Sequence, residues 1–520
     1  MEAYYLLLLI IIAFLFFFLL TPSKKPALPP GPPSIPILGN LLWLRRFPSH
    51  FNIETLVRDL RPHLGPIITL RIGTRTSIFI TDRHLVHKAL IELGAVFSSR
   101  PPQPLFSTFP NTRITNISSA PYGNTWRLLR RNLTSHILHP AKFHLFAHGR
   151  RWVLGLLLRE IHTESRESPR RAVVPKKNFR FAMFGLLALM CFGERLDEKS
   201  IREIEDAHRE LLLHATKNWA LFTFFPKCIS GFLFGERFRT MRRLRRRQSE
   251  LFFPLITACR ENRKQGKEEQ RVHCSYVDSL LDITIAEEGG RQLTDDEVAM
   301  LCGEFLIAGT DTTASALEWT MAEIAASPAV QAKLAEEVDG RSGGEEIKDE
   351  ELLKMSYLKA VVLEGLRRHP PAHFVLPHSV TEDTIFEGYL IPKNVPVNFV
   401  ASEVGWDERV WEEAMDFVPE RFMAGGEGEG ADITGSREIK MMPFGVGRRI
   451  CPGFGLAMLH LHYFVANLVR EFKWEAMDGE EIDFSEKSLF IVAMKKPLRA
   501  LVTPRTVLKS RADTHGPAVG

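Results

Sequence analysis

The sequence predicts a mainly α-helical domain with a smaller β portion, an α+β fold. Helical patterns dominate from about residue 124 to residue 475. Short strand patterns are confined to residues 66–80 and 374–399, with turn signals between them. The chain has neither a 20–50-residue repeat nor a regular βαβ alternation, which argues against repeat and doubly wound folds.

Composition sets the broad class of the protein. The 520 residues are 45% hydrophobic, which suffices for a large core, and no linker follows residue 40, so we expect one large catalytic domain. The net charge of +5 is too mild to predict nucleic-acid binding. Six scattered cysteines without a C-x-x-C pair favour a reducing compartment and exclude covalent haem attachment of the c type.

The N-terminus predicts a membrane anchor. Residues 3–20 form an uncharged run, and 18 helical residues just span a bilayer core. A cleaved signal peptide is the alternative, but Glu2 precedes the run and no Ala-x-Ala follows it. Lys24 and Lys25 place the downstream domain in the cytosol. We therefore expect an anchor at 1–21, a stiff Pro-rich hinge at 22–40, a catalytic domain at 41–510 and a tail at 511–520.

One long helix is marked at both ends. Thr294 and Glu297 form a capping-box pattern, and Ser327 followed by Pro328 starts the next helix. Its middle, residues 308–313, carries a glycine and three threonines, which predicts a local opening of the hydrogen-bond ladder. A basic run at 242–247 is interpreted as a solvated helix face, with contact to anionic lipid headgroups as the alternative.

A glycine-rich loop at residues 444–453 is the most informative segment. It places Cys451 just before an apolar helix, and a helix N-terminus favours the thiolate that an iron ligand must be. The glycines allow the backbone to approach a flat macrocycle, and Arg449 can pair with a haem propionate. A buried, inert cysteine is the usual alternative for a lone cysteine.

The loop matches F-x-x-G-x-R-x-C-x-G at all five specified positions, from Phe444 to Gly453. This is the signature of the cytochrome P-450 family, which the chain resembles over nearly its whole length after the anchor. The resemblance implies that family's fold, with a long central helix and an N-terminal transmembrane helix. It implies haem b as cofactor and Cys451 as the metal ligand. The implied cofactor-binding residues are Cys451, Arg449, Trp126, Arg130, His378 and Phe444.

Other segments resemble the family in the expected order. Thr312 and Asp311 match the oxygen-activating helix motif, which implies catalytic roles in dioxygen hydrogen bonding and proton relay. For Thr312, a role that merely bends the helix is the alternative. Glu364 and Arg367 match E-x-x-R, and Arg421 of the P-E-R-F motif is expected to join their ion pair in a structural role. The chain departs from plant relatives at Gly405-Trp406-Asp407-Glu408 and at Ala414, within a structural stretch.

The resemblance implies a monooxygenase that inserts one oxygen atom from O2 into a hydrophobic small molecule. Residues 453–458 lack the third glycine of a dinucleotide fingerprint, so NADPH electrons are expected through a separate NADPH–cytochrome P-450 reductase. Its docking surface is predicted to include Arg127, Arg131, Lys440 and Arg448. By analogy the pocket draws on residues 101–121, 305–310, 373–376 and 489–494, with Phe106, Phe109, Phe305, Phe374 and Phe490 as an aromatic lining.

In its motif sequences and its Pro-rich hinge, the chain most resembles a plant microsomal member of the family. Such a member is expected to act on specialised or degradation metabolites, on the cytosolic face of the endoplasmic reticulum membrane.

Three alternative functions differ in what they require. A peroxide-rearranging enzyme needs neither dioxygen nor a reductase, a non-catalytic haem-binding membrane protein consumes no oxygen, and a tethered α protein with a structural Cys451 binds no haem.

Overall fold

A computed structural model describes residues 27–35, 39–40, 53–73, 75–102, 112–113, 116–168, 170–224, 234–265, 275–342, 346–488 and 491–505. Helices supply most of this part of the chain, as the sequence predicts. The α-helices are α1 Ile53–Leu64, α2 Arg83–His87, α3 Asn124–His136, α4 Ala147–Glu167, α5 Lys176–Phe192, α6 Glu198–Phe224, α7 Gly235–Lys264, α8 Tyr276–Leu281, α9 Asp295–Ala326, α10 Pro328–Ser342, α11 Asp349–Leu352, α12 Ser356–Arg368, α13 Ala401–Gly405 and α14 Phe454–Glu471.

The strands form small, separate sheets. They are β1 Ile67–Ile72, β2 Arg75–Ile80, β3 Ala172–Val173, β4 Thr284–Ile285, β5 Arg291–Gln292, β6 Thr384–Phe386, β7 Tyr389–Ile391, β8 Val397–Phe399, β9 Phe472–Ala476, β10 Glu486–Ser488, β11 Val492–Met494 and β12 Ala500–Pro504. One sheet has the order β1-β2-β8, in which β2 runs antiparallel to β1 and parallel to β8. A second sheet has the order β3-β12-β9, and three two-stranded pairs complete the β portion. The mainly α class with a smaller β portion is confirmed.

Helix α9 is the long central helix that the sequence predicts. Both halves of the capping box are present, since the Thr294 hydroxyl accepts from Glu297 N and the Glu297 carboxylate accepts from Thr294 N. Ser327 caps its C-terminus and α10 follows at once. The helix is buried along most of its length and packs against α5, α7, α12 and α14. A helix that is buried on nearly all sides must lie at the centre of its domain.

The predicted opening of α9 at residues 308–313 is wrong. The helix is continuous there, and Thr312 Oγ1 donates to Ala308 O at 2.6 Å within the same helix. Gly309 has a packing role instead, because a Cβ at this position would lie 2.7 Å from Leu187 Cδ1 of α5. The glycine permits close approach of two helices, which a single sequence does not distinguish from a ladder defect.

The described part of the Pro-rich segment lies against β1 and β7. Thr69 N donates to Pro30 O at 2.8 Å, and Leu390 N donates to Ala27 O at 3.0 Å. The predicted anchor at 1–21 and tail at 511–520 lie outside the described residues. Within the described ranges, no helix combines the length and the apolar character that crossing a bilayer requires.

The basic run at 242–247 lies on α7 and is amphipathic. Arg242, Arg243, Arg246 and Arg247 are exposed, whereas Leu244 is buried and Arg245 hydrogen-bonds to Gln248. The exposed side chains agree with a solvated helix face. They leave the lipid-contact alternative as a prediction.

The E-x-x-R trio forms a buried ion-pair cluster. Arg367 Nε lies 2.7 Å from Glu364 Oε2, and Arg421 Nε lies 3.3 Å from Glu364 Oε1. Arg367 also donates to the carbonyls of Gly405 and Ala414, where the chain departs from the plant pattern. Because these bonds use the backbone, they are indifferent to the side chains at those positions. The cluster thereby joins α12 to the stretch that precedes the cysteine loop.

Candidate active site

The cysteine loop folds as a tight turn in front of α14. Ile450 N donates to Gly447 O at 3.1 Å, and Cys451 N donates to Phe444 O at 2.9 Å. Gly447 has a φ of +73°, and a Cβ there would lie 2.1 Å from the carbonyl oxygen of Leu90. The loop therefore requires glycine at this point, and it holds Cys451 at the start of α14.

Burial raises the pKa of the Cys451 thiol, while the backbone N–H of Gly453 and the charge of Arg130 act in the opposite direction. The expectation that the helix N-terminus favours thiolate is therefore not sufficient by itself, because burial outweighs it. A bound metal cation reverses this balance, since a coordinating thiol is deprotonated outright. Cys451 would therefore be a thiolate when it ligates a metal ion, in spite of its burial.

Helix α9 opens onto a cavity halfway along its length. Ala308 is exposed, and Ile307, Asp311 and Thr312 are only partly buried, although the helix is buried on both sides of this stretch. Exposure in the middle of a central helix means that open space lies next to it. Helix α14, which follows the cysteine loop, packs against α9.

Three arginines meet beside the cysteine loop: Arg100 is buried, and Arg130 and Arg449 are partly buried. Arg130 donates to Ile450 O at 2.5 Å. Arg449 donates to Ser98 O and Ala120 O, both at 2.7 Å. Arg100, which the sequence did not single out, donates to the carbonyls of Ser118, Leu376 and Pro377 at 2.7–2.9 Å. None of the three guanidinium groups has a carboxylate within 4.0 Å among the described residues.

The positive charge of these three arginines suits an anion-binding site. Burial and the neighbouring cations lower the pKa of Arg100 to about 9, and burial together with Arg130 lowers that of Arg449 to about 10. The Arg449 guanidinium stacks 4.2 Å from the Trp126 ring centroid. Trp126 Nε1 is buried and has no hydrogen-bond partner in the described part of the chain. The charge of Glu304 offsets Arg100 and Arg449 only in part. Clustered guanidinium groups that form no ion pair within the described part of the chain, together with an orphaned donor, predict an anionic ligand.

His378 lies at the same cluster in a neutral state. Its Nδ1 is 2.7 Å from Phe97 O, and burial with the charges of Arg100 and Arg449 holds its pKa well below the usual value. A neutral ring that donates through Nδ1 has only a lone pair at Nε2. An anion beside the ring would have to raise the pKa before Nε2 could donate, so its predicted role toward a propionate stays a prediction.

The two predicted catalytic residues have different partners. Thr312 donates to Ala308 O within its own helix. Asp311 Oδ1 lies 2.9 Å from Arg180 Nε of α5. Burial raises the pKa of Asp311, and the charges of Arg180, Arg209 and Lys176 oppose that rise. A partly buried carboxyl with a raised pKa at the cavity edge holds a proton more readily than an exposed one, which suits a proton relay.

The structure describes two of the five aromatic residues that are predicted to line the pocket, Phe305 and Phe374. Phe305 is buried and packs with Tyr276 at a centroid distance of 5.2 Å, so it belongs to the core. Phe374 is partly buried and packs edge-on to Phe79. Phe106, Phe109 and Phe490 lie outside the described residues.

Haem fits these residues. Its two propionates match the Arg100, Arg130 and Arg449 cluster with Trp126 Nε1, and its iron matches a thiol presented by a turn that only glycine can adopt. Phe444, whose ring centroid lies 6.3 Å from that of Phe454, stands at the start of the same turn.

Comparison with known proteins agrees with this fit. The family model described as cytochrome P-450 matches residues 29–502. Cytochrome P-450 89A9 of Arabidopsis thaliana is 44% identical over 495 residues, 92% of this chain and 94% of the relative. Isoflavone 2'-hydroxylase of Medicago truncatula is 31% identical over 92% of this chain and 93% of its own. Flavonoid 3'-monooxygenase of Arabidopsis thaliana is 29% identical over 92% of each chain.

Proposed function

Because the chain belongs to the cytochrome P-450 family, we propose that it is a haem-thiolate monooxygenase that inserts one oxygen atom from O2 into a hydrophobic small molecule. The family is one of enzymes, and relatives carry the names of a hydroxylase and a monooxygenase. The observation that carries the proposal is the cluster of Arg100, Arg130 and Arg449 beside Cys451, none of which forms an ion pair with a described residue. This combination suits a dianionic cofactor whose metal takes a sulfur ligand.

Each residue has a distinct task in the proposed reaction. Haem, when bound, supplies oxygen activation, and a thiolate ligand favours cleavage of the O–O bond. Cys451 would ligate the iron, while the arginine cluster and Trp126 would hold the propionates. Phe444 and His378 are proposed to border the cofactor, with His378 as a further propionate partner.

We propose that Asp311 and Thr312 of α9 deliver protons to the site. Thr312 lies where α9 faces the cavity, and its hydroxyl can shift from Ala308 O to a ligand in the cavity. Asp311 lies one residue earlier, at the point where the Arg180 ion pair reaches the cavity edge. In this proposal the carboxyl of Asp311 holds the proton, and the hydroxyl of Thr312 makes the hydrogen bond to the ligand in the cavity.

Electrons are proposed to come from NADPH through a separate reductase. Arg127, Arg131 and Arg448 are exposed, and Arg127 and Arg448 both contact Tyr122, the latter through a 2.6 Å hydrogen bond to its hydroxyl. Lys440 is less available, because its Nζ donates to Glu427 O at 2.8 Å. A surface of exposed arginines next to the propionate cluster suits an acidic partner. We further propose an endoplasmic reticulum location, with the catalytic domain on the cytosolic face, from the apolar run at 3–20.

The test uses the full chain in membranes. The reduced protein is exposed to carbon monoxide, and the difference spectrum is compared with that of Cys451→Ser. A strongly red-shifted Soret band that is lost in the variant supports the proposal, whereas an ordinary carbonyl-haem band or no haem band refutes it. Dependence of dioxygen uptake on NADPH and reductase then separates a monooxygenase from a peroxide-rearranging enzyme.

A further inference from the structure

Glu304 lies on the cavity face of α9. It precedes Ala308 by four residues and Thr312 by eight, and these spacings place side chains on one face of a helix. Its carboxylate accepts two backbone hydrogen bonds, from Ile117 N to Oε2 and from Ser118 N to Oε1, both at 2.7 Å. Burial raises the pKa of Glu304, and its hydrogen bonds with Ser118 oppose the rise.

Two arginines also hold residues 117–118: Arg449 NH1 donates to Ile117 O at 3.2 Å, and the second is Arg100. Its Nε donates to Ser118 O at 2.8 Å, and its NH1 donates to Leu376 O at 2.7 Å and to Pro377 O at 2.9 Å. Leu376 keeps 41% of its surface exposed, although the neighbouring His378 is buried. One carboxylate and one guanidinium therefore connect three chain segments: α9, residues 117–118 and residues 376–377.

We propose that Glu304 is a positioning residue that fixes the separation of these three segments and so determines the size of substrate that the cavity accepts. The inference rests on the proposed function, because it takes the open stretch of α9 as the substrate cavity. Both carboxylate oxygens are engaged by backbone donors, so Glu304 is not available to bind a cationic substrate. Charge-assisted bonds to two successive N–H groups hold a segment more firmly than one neutral bond can.

The test compares two probes of very different size that bind haem iron, imidazole and clotrimazole, by spectral titration of the full chain in membranes. In Glu304→Ala we expect the ratio of the two dissociation constants to change by about tenfold or more, because the segment at 117–118 loses its two hydrogen bonds to α9 and keeps only those to the arginines. Glu304→Gln keeps one acceptor oxygen, so a change of about threefold is expected there. That milder variant keeps the test valid if the alanine variant loses haem.

Glu318→Gln is the matched control. Glu318 is a buried carboxylate on the same helix, and it accepts from Leu498 N at 3.1 Å and pairs with Lys176 at 2.9 Å, away from residues 117–118. The control should leave the ratio unchanged. An unchanged ratio in both Glu304 variants, or the same change in Glu318→Gln, overturns the inference. A wild-type chain that gives no azole spectrum refutes the proposed function itself, and the positioning role with it.

Discussion

Asp311 and Glu205 share one guanidinium group. Arg180 Nε lies 2.9 Å from Asp311 Oδ1 and 3.3 Å from Glu205 Oε1, so a residue of α5 joins the cavity edge of α9 to α6. The two carboxylates compete for the same positive charge. The proton affinity of Asp311 therefore depends on a residue that does not face the cavity.

Arg180→Gln should raise the pKa of Asp311, because burial then acts with less opposition. A proton donor must be protonated to act, so Asp311 is expected to set the alkaline limb of the pH profile. That limb should move to higher pH in the variant, and turnover at alkaline pH should rise. The measurement is dioxygen uptake with reductase and NADPH across the pH range.

Glu205→Gln is the opposing control for that prediction. It leaves Arg180 to pair with Asp311 alone, which should lower the pKa of Asp311, so the alkaline limb should move to lower pH. Shifts in the same direction for both variants would mean that Arg180 does not set the proton affinity of Asp311.

Arg100→Met should weaken haem binding more than it weakens the folding of the haem-free chain. Without a ligand, burial and the charges of Arg449 and Arg130 destabilise the charged form of Arg100 and lower its pKa. With a dianion bound, the same group contributes about 2 kcal/mol, or about a 30-fold change in affinity. The rate of haem transfer to a haem-free globin measures it.

Arg127→Met is the matched control for the haem-binding test, because Arg127 is exposed and lies over Tyr122 at 4.8 Å. It should leave the rate of haem transfer unchanged. Equal acceleration in both variants would show that the cluster has no special part in holding haem.

Local signals in the sequence predicted much of the site. The capping box of α9 and the Glu364–Arg367 pair depend on residues three apart in one helix, so their geometry follows from the pattern. Cys451 and the glycines of its loop were likewise recognised from neighbouring residues.

What the sequence could not predict depends on distant contacts. Arg100 precedes Arg449 by more than 340 residues, and only the folded chain shows that it is buried and forms no ion pair with any residue that the structure describes. In the sequence, Arg180 cannot be distinguished from any other helix arginine, because its partner Asp311 lies on a different helix, α9. Gly309 was misjudged because Leu187, its packing partner, is far away in the chain.

The stabilising contribution of His373 should be lost at alkaline pH. It pairs with Glu54 through Nδ1 and with Glu486 through Nε2 at 3.0 Å, with His369, Arg368 and Arg58 nearby. Burial alone would lower its pKa, but its bonds to Glu486 and Glu54 outweigh that effect and raise the pKa to about 9.

A histidine whose folded-state pKa is raised stabilises the fold fully below its unfolded pKa of about 6.5, and the contribution is lost as pH rises through about 9. The contribution is on the order of 3 kcal/mol. The temperature of haem loss should fall between pH 6.5 and pH 9.5 in the wild type and much less in His373→Gln. His84→Gln, at an exposed position, should keep the wild-type slope.

Three glycines of the cysteine loop should tolerate alanine to different extents, because each differs in backbone conformation and in available space. Gly447 has a φ of +73° and no room, since a Cβ would lie 2.1 Å from Leu90 O. Gly445 has a φ of +64°, but its nearest neighbour, Val375 Cγ1, is 3.5 Å away. Gly453 has an ordinary φ of −94° and only Cys451 Sγ near it, at 4.0 Å.

Gly447→Ala should therefore cost more than about 3 kcal/mol and abolish haem retention, because backbone on both sides would have to move. Gly445→Ala should cost about 1–2 kcal/mol, the strain of a left-handed conformation alone. Gly453→Ala should be close to neutral, since alanine adopts its backbone conformation without strain and restricts the unfolded chain. Haem content and the temperature of haem loss measure the order. A Gly453→Ala variant as damaging as Gly447→Ala would show that the loop is limited by the space that the haem itself occupies beside Cys451, and not by contact with Leu90.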